Sequence, residues 1–253
     1  MSGGVLILGG TGDAVSLARL LAPIEGLDVV TSLAGRTRNP AQVPGRLRTG
    51  GFGGVGGLSD YLRAENVQLL VDATHPYAAN ISANAAAACT ECGVSRLQLW
   101  RAPWPQVDAD RWIDVRSMSE AAAHVASCQF RSLDRVFVTT GVTQLDVFQA
   151  IDGVTFLLRC IEKPVALPAI EHVELIFGRG PFHEADELAL LAERNVTLLV
   201  SKNSGGAATY GKISAARKLR IPVIMVARPA PENGPVVHSP EEALLSVRRQ
   251  LGA

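Results

Sequence analysis

Gly9-Gly10-Thr11-Gly12 stands directly behind the apolar run Val5–Leu8 and directly ahead of an amphipathic stretch, Asp13–Leu21. A strand that ends in a glycine turn and restarts as a helix is the opening βα step of an open parallel sheet. Glycine suits the tight turn and lets a phosphate approach the backbone. The helix N-terminus behind it offers free N–H groups and a partial positive charge. The candidate phosphate-binding residues are Gly9, Gly10, Thr11, Gly12, Asp13 and Ala14. The spacing departs from GxGxxG, so the loop alone specifies a nucleotide phosphate rather than a particular nucleotide. A plain glycine-rich turn is the competing reading.

The same alternation of short apolar runs and helical stretches continues to the end of the chain. Strands are expected at Asp28–Leu33, Gly45–Thr49, Val67–Asp72 and Arg96–Trp100, with helices at Leu58–Glu65 and Asn80–Cys92. A second series begins near Arg135, with strands at Val136–Thr139, Thr155–Arg159, Leu175–Phe177, Thr197–Ser201 and Val223–Val226. Its helices are expected at Val142–Ala150, Glu184–Glu193, Lys212–Leu219 and Pro240–Leu251. Alternating strands and helices imply parallel sheets with right-handed crossovers. A short echo supports two similar units: Trp112–Ala121 and Val236–Ala243 each read as a strand, a Ser N-cap and an acidic first turn. Each echo closes one unit in this reading, which puts the domains at residues 1–130 and 131–253.

The 253 residues and 47% hydrophobic content allow one large core or two modest ones. Lys plus Arg number 24 and Asp plus Glu also 24, so no global field draws in nucleic acid or an anionic membrane. An acidic ligand must be held by local basic residues. No apolar run approaches the ~18 residues of a membrane span. No basic segment precedes the first strand, so a cytoplasmic location is expected. Cys89 and Cys92 form a lone CxxC within an Ala-rich helical stretch, without a second pair at zinc-binding spacing, and are expected to pack rather than to bind metal.

The end of the second strand bears on the cofactor. An NAD-binding unit usually places Asp or Glu there for the ribose 2′-hydroxyl. Here the strand ends at Gly35-Arg36-Thr37-Arg38 and carries no acid. Planar, charged guanidinium donors suit a 2′-phosphate, which favours NADPH over NADH. Solvated arginines in a loop are the alternative. The dense cluster Gly50–Gly57, with Gly51, Phe52 and Gly53 at its centre, follows the third strand on the same carboxyl edge. It reads as a flexible cover over the cofactor or as a linker.

Further polar groups fall at other strand ends. Thr74, His75 and Pro76 follow Val67–Asp72, where a ligand of such a sheet would lie. His75 and Tyr77 are candidate catalytic groups, since either side chain is able to donate a proton; capping and burial are the alternatives. Thr140-Gly141 repeats the strand–glycine–helix context in the second half. Lys202-Asn203-Ser204-Gly205 combines an ammonium, an amide, a hydroxyl and glycine backbone, a set suited to a carboxylate. Arg159 and Lys163 are weaker candidates of the same kind.

Taken in order, Gly9–Ala14, Ala34-Gly35-Arg36, Asp72-Ala73-Thr74-His75-Pro76-Tyr77-Ala78 with Asn80, Ser82 and Asn84, and Arg101 with Trp104 resemble the precorrin-6A reductase family of cobalamin biosynthesis. So do Thr139-Thr140-Gly141, Gly180-Pro181-Phe182 and Lys202–Gly206. The resemblance implies two Rossmann-like parallel-sheet domains with the active site in the cleft between them. It implies NADPH-dependent reduction of one macrocyclic double bond in precorrin-6A to give precorrin-6B, by hydride transfer and then protonation. It also implies a substrate rich in acetate and propionate arms, to be met by Tyr77, Asn80, Arg101, Thr140, Gly141, Arg159, Lys202, Asn203, Ser204 and Gly205. A short-chain dehydrogenase is disfavoured because Tyr61, Tyr77 and Tyr210 are followed at the Tyr-x-x-x-Lys spacing by Glu65, Ile81 and Ser214. A non-catalytic NADP sensor would keep the glycine loop and Arg36 without needing the clusters at His75 and Lys202. A nucleotide-sugar-binding protein would account less well for the arginines.

Overall fold

The computed structural model describes residues 3–35, 42–128 and 134–252. The chain opens with β1 (Gly3–Leu8), α1 (Gly12–Leu21), β2 (Leu27–Leu33), β3 (Arg46–Thr49), α2 (Val55–Ala64), β4 (Val67–Asp72), α3 (Ala79–Cys92) and β5 (Ser95–Leu99). It continues with β6 (Trp112–Val115), α4 (Met118–Ser127), β7 (Arg135–Val138), β8 (Thr155–Cys160), β9 (Val173–Phe177), α5 (Glu184–Glu193) and β10 (Val196–Lys202). The last elements are α6 (Gly211–Lys218), β11 (Val223–Val226), β12 (Val236–Val237) and α7 (Pro240–Leu251).

Two six-stranded sheets result, ordered β12-β5-β4-β1-β2-β3 and β6-β11-β10-β7-β8-β9. All neighbouring strands are parallel. Each sheet has a doubly wound order in which the chain reverses direction beside a central strand, β1 in the first and β7 in the second. The sixth strands are exchanged. β6 and α4 follow β5 in the chain but join the second sheet, while β12 and α7 end the chain and join the first. One compact unit is therefore Met1–Ala102 with Pro229–Ala253, and the other is Pro103–Arg228. The expected division at residues 130/131 is corrected accordingly.

The echo is real, although its assignment to units is reversed. Ser117 accepts from the Glu120 N–H and Ser239 from the Glu242 N–H, both at 3.1 Å. The same glutamates reach back to the N–H groups of Arg116 and His238, both at 2.8 Å. Each cap thus satisfies donors that a helix start leaves unpaired. A second echo lies in Leu62–Val71 and Leu191–Val200: Asn66-Val67-Gln68-Leu69-Leu70-Val71 matches Asn195-Val196-Thr197-Leu198-Leu199-Val200. Asn66 and Asn195 both take left-handed backbone, with φ of 50° and 49°. Asparagine tolerates that region better than other non-glycine residues.

Strands covered by helices on both faces are apolar throughout, which explains the unbroken run Leu69-Leu70-Val71. One face of the first sheet packs Val5, Ile7, Leu69 and Val71 against Leu17 and Leu21 of α1 and Val247 of α7. The other packs Leu6, Leu8 and Leu70 against Leu58 and Leu62 of α2 and Ala85 and Ala88 of α3. In the second unit Phe137, Leu199 and Met225 pack against Leu191 of α5 and Ile213 of α6. Cys89 belongs to the first unit's core and Cys92 contacts the Ser59 carbonyl. Burial pushes the Cys89 thiol up to about 11, which keeps it inert.

The helix expected at Val142–Ala150 is a short 3-10 turn, Asp146–Phe148. Gly141 and Gln144 have φ of 83° and 64°, which interrupts α-helical geometry before it starts. None of the described helices is long and apolar enough to cross a membrane.

Candidate functional site

The glycine turn is held from three sides. The Gly9 N–H donates to the Ser32 carbonyl at 2.9 Å, fixing its entry beside β2. Thr11 is the N-cap of α1: its Oγ1 accepts from the Ala14 N–H at 3.1 Å and donates to the Ala73 carbonyl at 2.7 Å. One hydroxyl therefore ties the turn to the segment that carries Thr74 and His75. Gly10 takes a φ of 109°, which an L side chain rarely adopts. A Cβ at Gly10 or Gly12 would meet nothing within 4 Å, so the turn presents bare backbone to open space. A dinucleotide pyrophosphate fits such a cradle. Thr11→Val should cost about 1–2 kcal/mol, because the cap and a part-buried tertiary bond go together. Thr11→Ser should keep most of it. Urea unfolding of both variants checks this, and an equal loss in both would rule out the hydroxyl as the cause.

Beside it, Gly35 closes β2 with a φ of 73°. Arg36, Thr37 and Arg38 lie outside the described residues. The glycine cluster after β3 is a built loop, not a loose linker. Its organiser is Arg48, which donates to Ser32 Oγ at 3.2 Å and to the carbonyls of Gly50 at 2.5 Å and Gly51 at 2.9 Å. The Arg48 guanidinium lies 3.8 Å from the Phe52 ring centroid, and the Phe52 and Tyr61 rings meet edge-on at 5.3 Å. Gly53 and Gly54 supply positive φ values of 81° and 98°. A Cβ on Gly57 would lie 1.8 Å from the Phe52 carbonyl oxygen, so α2 can approach the loop only through glycine. Arg48 was missed because an arginine in an exposed four-residue strand carries no motif.

The turn after β4 is set by Asp72. Its Oδ1 accepts from the Thr74 N–H at 3.1 Å and from Thr74 Oγ1 at 2.7 Å. Asp72 is 2% exposed, and its Oδ2 has no hydrogen-bond partner among the described residues. His75 follows, and its Nδ1 accepts from the Tyr77 N–H at 3.3 Å. A neutral His75 ring therefore carries its proton on Nε2. The His75 and Tyr77 rings lie 5.6 Å apart. Pro76 is buried, and Asn80 is exposed in the first turn of α3. Arg101 extends beyond β5, and its NH1 pairs with Asp13 Oδ2 at 2.8 Å.

In the second unit the structure separates the candidates. Arg159 leaves the carboxylate-binding set: it makes a bidentate pair with Glu187 at 2.8 and 2.9 Å, between the rings of Phe137 and Phe182. Asn203 is also engaged. Its Oδ1 accepts from the Trp104 N–H at 2.8 Å and its Nδ2 donates to the Trp104 carbonyl at 3.1 Å. Trp104 Nε1 donates to the Gly206 carbonyl at 2.8 Å, so the loop after β10 clamps the tryptophan. Ser204 is buried with its Oγ 3.4 Å from Thr209 Oγ1. Gly205 supplies a φ of 68° within the same loop. Lys202 is half-buried, and burial pushes its ammonium below the usual range. Thr140 Oγ1 is buried without a hydrogen-bond partner among the described residues, and Gly141 beside it is exposed. Lys163 is exposed. No cluster of His, Cys, Asp or Glu able to hold a metal ion occurs among the described residues.

A doubly wound parallel sheet with a capped glycine turn behind its first strand, accompanied by a second sheet of the same order, defines a Rossmann-like protein of the dinucleotide-binding type. The particular family follows from comparison. The model of the precorrin-6x reductase CbiJ/CobK family matches residues 4–248, and the chain belongs to that family. It is 46% identical over 248 residues to a precorrin-6A reductase of Sinorhizobium sp, covering 98% of this chain and 93% of that one. It is 43% identical over 226 residues to a precorrin-6A reductase of Rhodococcus erythropolis, covering 89% of each. A solved structure of CobK precorrin-6A reductase superposes with a TM-score of 0.90 at 39% identity, over 99% of this chain and 97% of the other.

Proposed function

We propose that this chain reduces one double bond of precorrin-6A to give precorrin-6B in cobalamin biosynthesis, with NADPH as the hydride source. Family membership supports the reaction. The observation that carries the cofactor is the capped turn Gly9–Gly12 at the start of α1, where a Cβ at Gly10 or Gly12 would meet nothing within 4 Å and the backbone is open to a ligand. In this reading Gly9, Gly10, Thr11, Gly12, Asp13 and Ala14 form the pyrophosphate cradle. Gly35, Arg36, Thr37 and Arg38 take the adenosine ribose and its 2′-phosphate. Gly51, Phe52, Gly53, Thr74, His75 and Pro76 flank the remainder. When bound, the nicotinamide supplies a hydride.

The chain's own residues then bind, orient and protonate. Thr11 and Asp72 hold the turn that carries His75, one through the Ala73 carbonyl and the other through Thr74. His75 and the Tyr77 hydroxyl are the candidate proton donors in this reading. Tyr77, Asn80, Thr140, Gly141, Lys202 and Gly205 are assigned to the substrate's carboxylate arms and ring edge. Desolvation makes the Lys202 ammonium a stronger partner for a carboxylate than an exposed lysine would be.

The test is direct. Purified protein is mixed with precorrin-6A and NADPH, and product mass is followed. A gain of two hydrogens is expected, and no gain sinks the assignment. Arg36→Ala should weaken NADPH binding by roughly 10- to 100-fold, the value of a lost charge-assisted contact. NADH binding should hardly change. Equal losses for both cofactors would remove Arg36 from the 2′-phosphate site.

A further inference from the structure

The glycine turn contains a group that an anion site does not call for. Asp13 is the second residue of α1, one position beyond Gly12, so a carboxylate stands in the first turn behind the proposed pyrophosphate cradle. An acid there suits the helix dipole, but it opposes a second anion arriving at the same terminus. Arg101 reaches this acid from the far end of β5, 88 residues along the chain. The NH1–Oδ2 distance is 2.8 Å, and the side chains of Arg101 and Asp13 are only 18% and 32% exposed. A pair this sheltered is screened less by solvent than a surface pair.

We propose that Arg101 is a positioning residue of the cofactor loop, its guanidinium holding the Asp13 carboxylate and cancelling its charge so that the start of α1 accepts a dinucleotide pyrophosphate. This rests on the reading of Gly9–Ala14 as the NADPH phosphate site, and it moves Arg101 from the substrate to the cofactor. Without Arg101, Asp13 stands uncompensated beside the cradle. Without Asp13, Arg101 adds net positive charge there. The two substitutions therefore have opposite expected effects on the same anion.

NADPH dissociation constants measured by calorimetry on the wild type, Arg101→Ala, Asp13→Asn and the double variant test this without turnover. Arg101→Ala should raise Kd roughly tenfold at low salt, with the penalty shrinking as salt screens the exposed carboxylate. Asp13→Asn alone should lower Kd, since it leaves the Arg101 charge uncompensated beside the cradle. The double variant should return to within about twofold of the wild type, since neither charge of the pair then remains at the cradle. A merely structural arginine would give neither the rescue nor the salt dependence. An unchanged Kd in Arg101→Ala overturns the proposal, and so does a loss that Asp13→Asn fails to repair. Should Arg101→Ala not fold, a weaker NADPH complex in Asp13→Asn overturns it as well. Wild-type protein that binds no NADPH would refute the underlying cofactor reading, an outcome distinct from both.

Discussion

Arg159→Met should destabilise the protein by about 3–5 kcal/mol, because it leaves the Glu187 carboxylate buried without its guanidinium. The side chains of Arg159 and Glu187 are 9% and 3% exposed, and the pair is bidentate. The guanidinium is also stacked, 4.7 Å from the Phe137 centroid and 4.1 Å from that of Phe182. Burying two charges costs several kcal/mol each, so the pair need add little net stability while its disruption costs much. Arg159→Met with Glu187→Leu should therefore recover most of the loss, an apolar pair filling the space that the ions vacate. Urea midpoints at constant m-value measure both effects. A loss below about 1 kcal/mol in the single variant, or no recovery in the double, would refute this account. Phe182 belongs to the segment Gly180-Pro181-Phe182, whose order should fall with the pair. The readout would be faster proteolysis near that segment.

The sequence showed the first βα step because everything that makes it is local: Val5–Leu8, the glycines, Thr11 as cap and the apolar spacing of Leu17 and Leu21. The caps at Ser117 and Ser239 were legible for the same reason. The exchange of sixth strands was not. β6–α4 and β12–α7 are near copies, each a short strand, a serine cap and a glutamate three residues on, and either would fit the edge of either sheet. Local sequence does not choose between equivalent edges, and each strand's true partner lies in another part of the chain. Arg159 misled for a related reason. Its partner Glu187 lies 28 residues away in a first turn whose acids, Glu184, Asp186 and Glu187, read as an ordinary helix start. Asn203 looked like a ligand group because its loop resembles one, whereas its partner Trp104 lies 99 residues earlier. Caps and turns satisfied nearby in sequence are legible as local structure, whereas pairs made across the fold carry no local signal.

Lys212 should make stability rise with pH between about 7 and 10. The residue is 5% exposed; its Nζ donates to the Thr209 carbonyl at 2.8 Å and lies 4.9 Å from the Trp104 ring. Burial pushes its ammonium down to about 7; nearby Arg159 pushes the same way, and Glu187 opposes both. The unfolded chain holds this proton up to the ordinary lysine value near 10.5. Between those limits the unfolded state binds more protons than the folded one, so unfolding becomes less favourable as pH rises. The slope approaches 1.36 kcal/mol per pH unit, or about 4 kcal/mol across the window. Below pH 7 both states are protonated and this residue contributes no slope. Lys212→Met should abolish the rise, so the stability difference between wild type and variant is the quantity to follow, other titrations cancelling. A constant difference from pH 7 to 10 would show that Lys212 stays charged in the folded protein. The two buried charges are also coupled. Arg159→Met removes a positive neighbour and leaves Glu187 to Lys212, which raises the lysine's folded value and narrows the window. The pH-dependent gain should therefore be smaller in Arg159→Met than in the wild type, whereas independent groups would leave it unchanged.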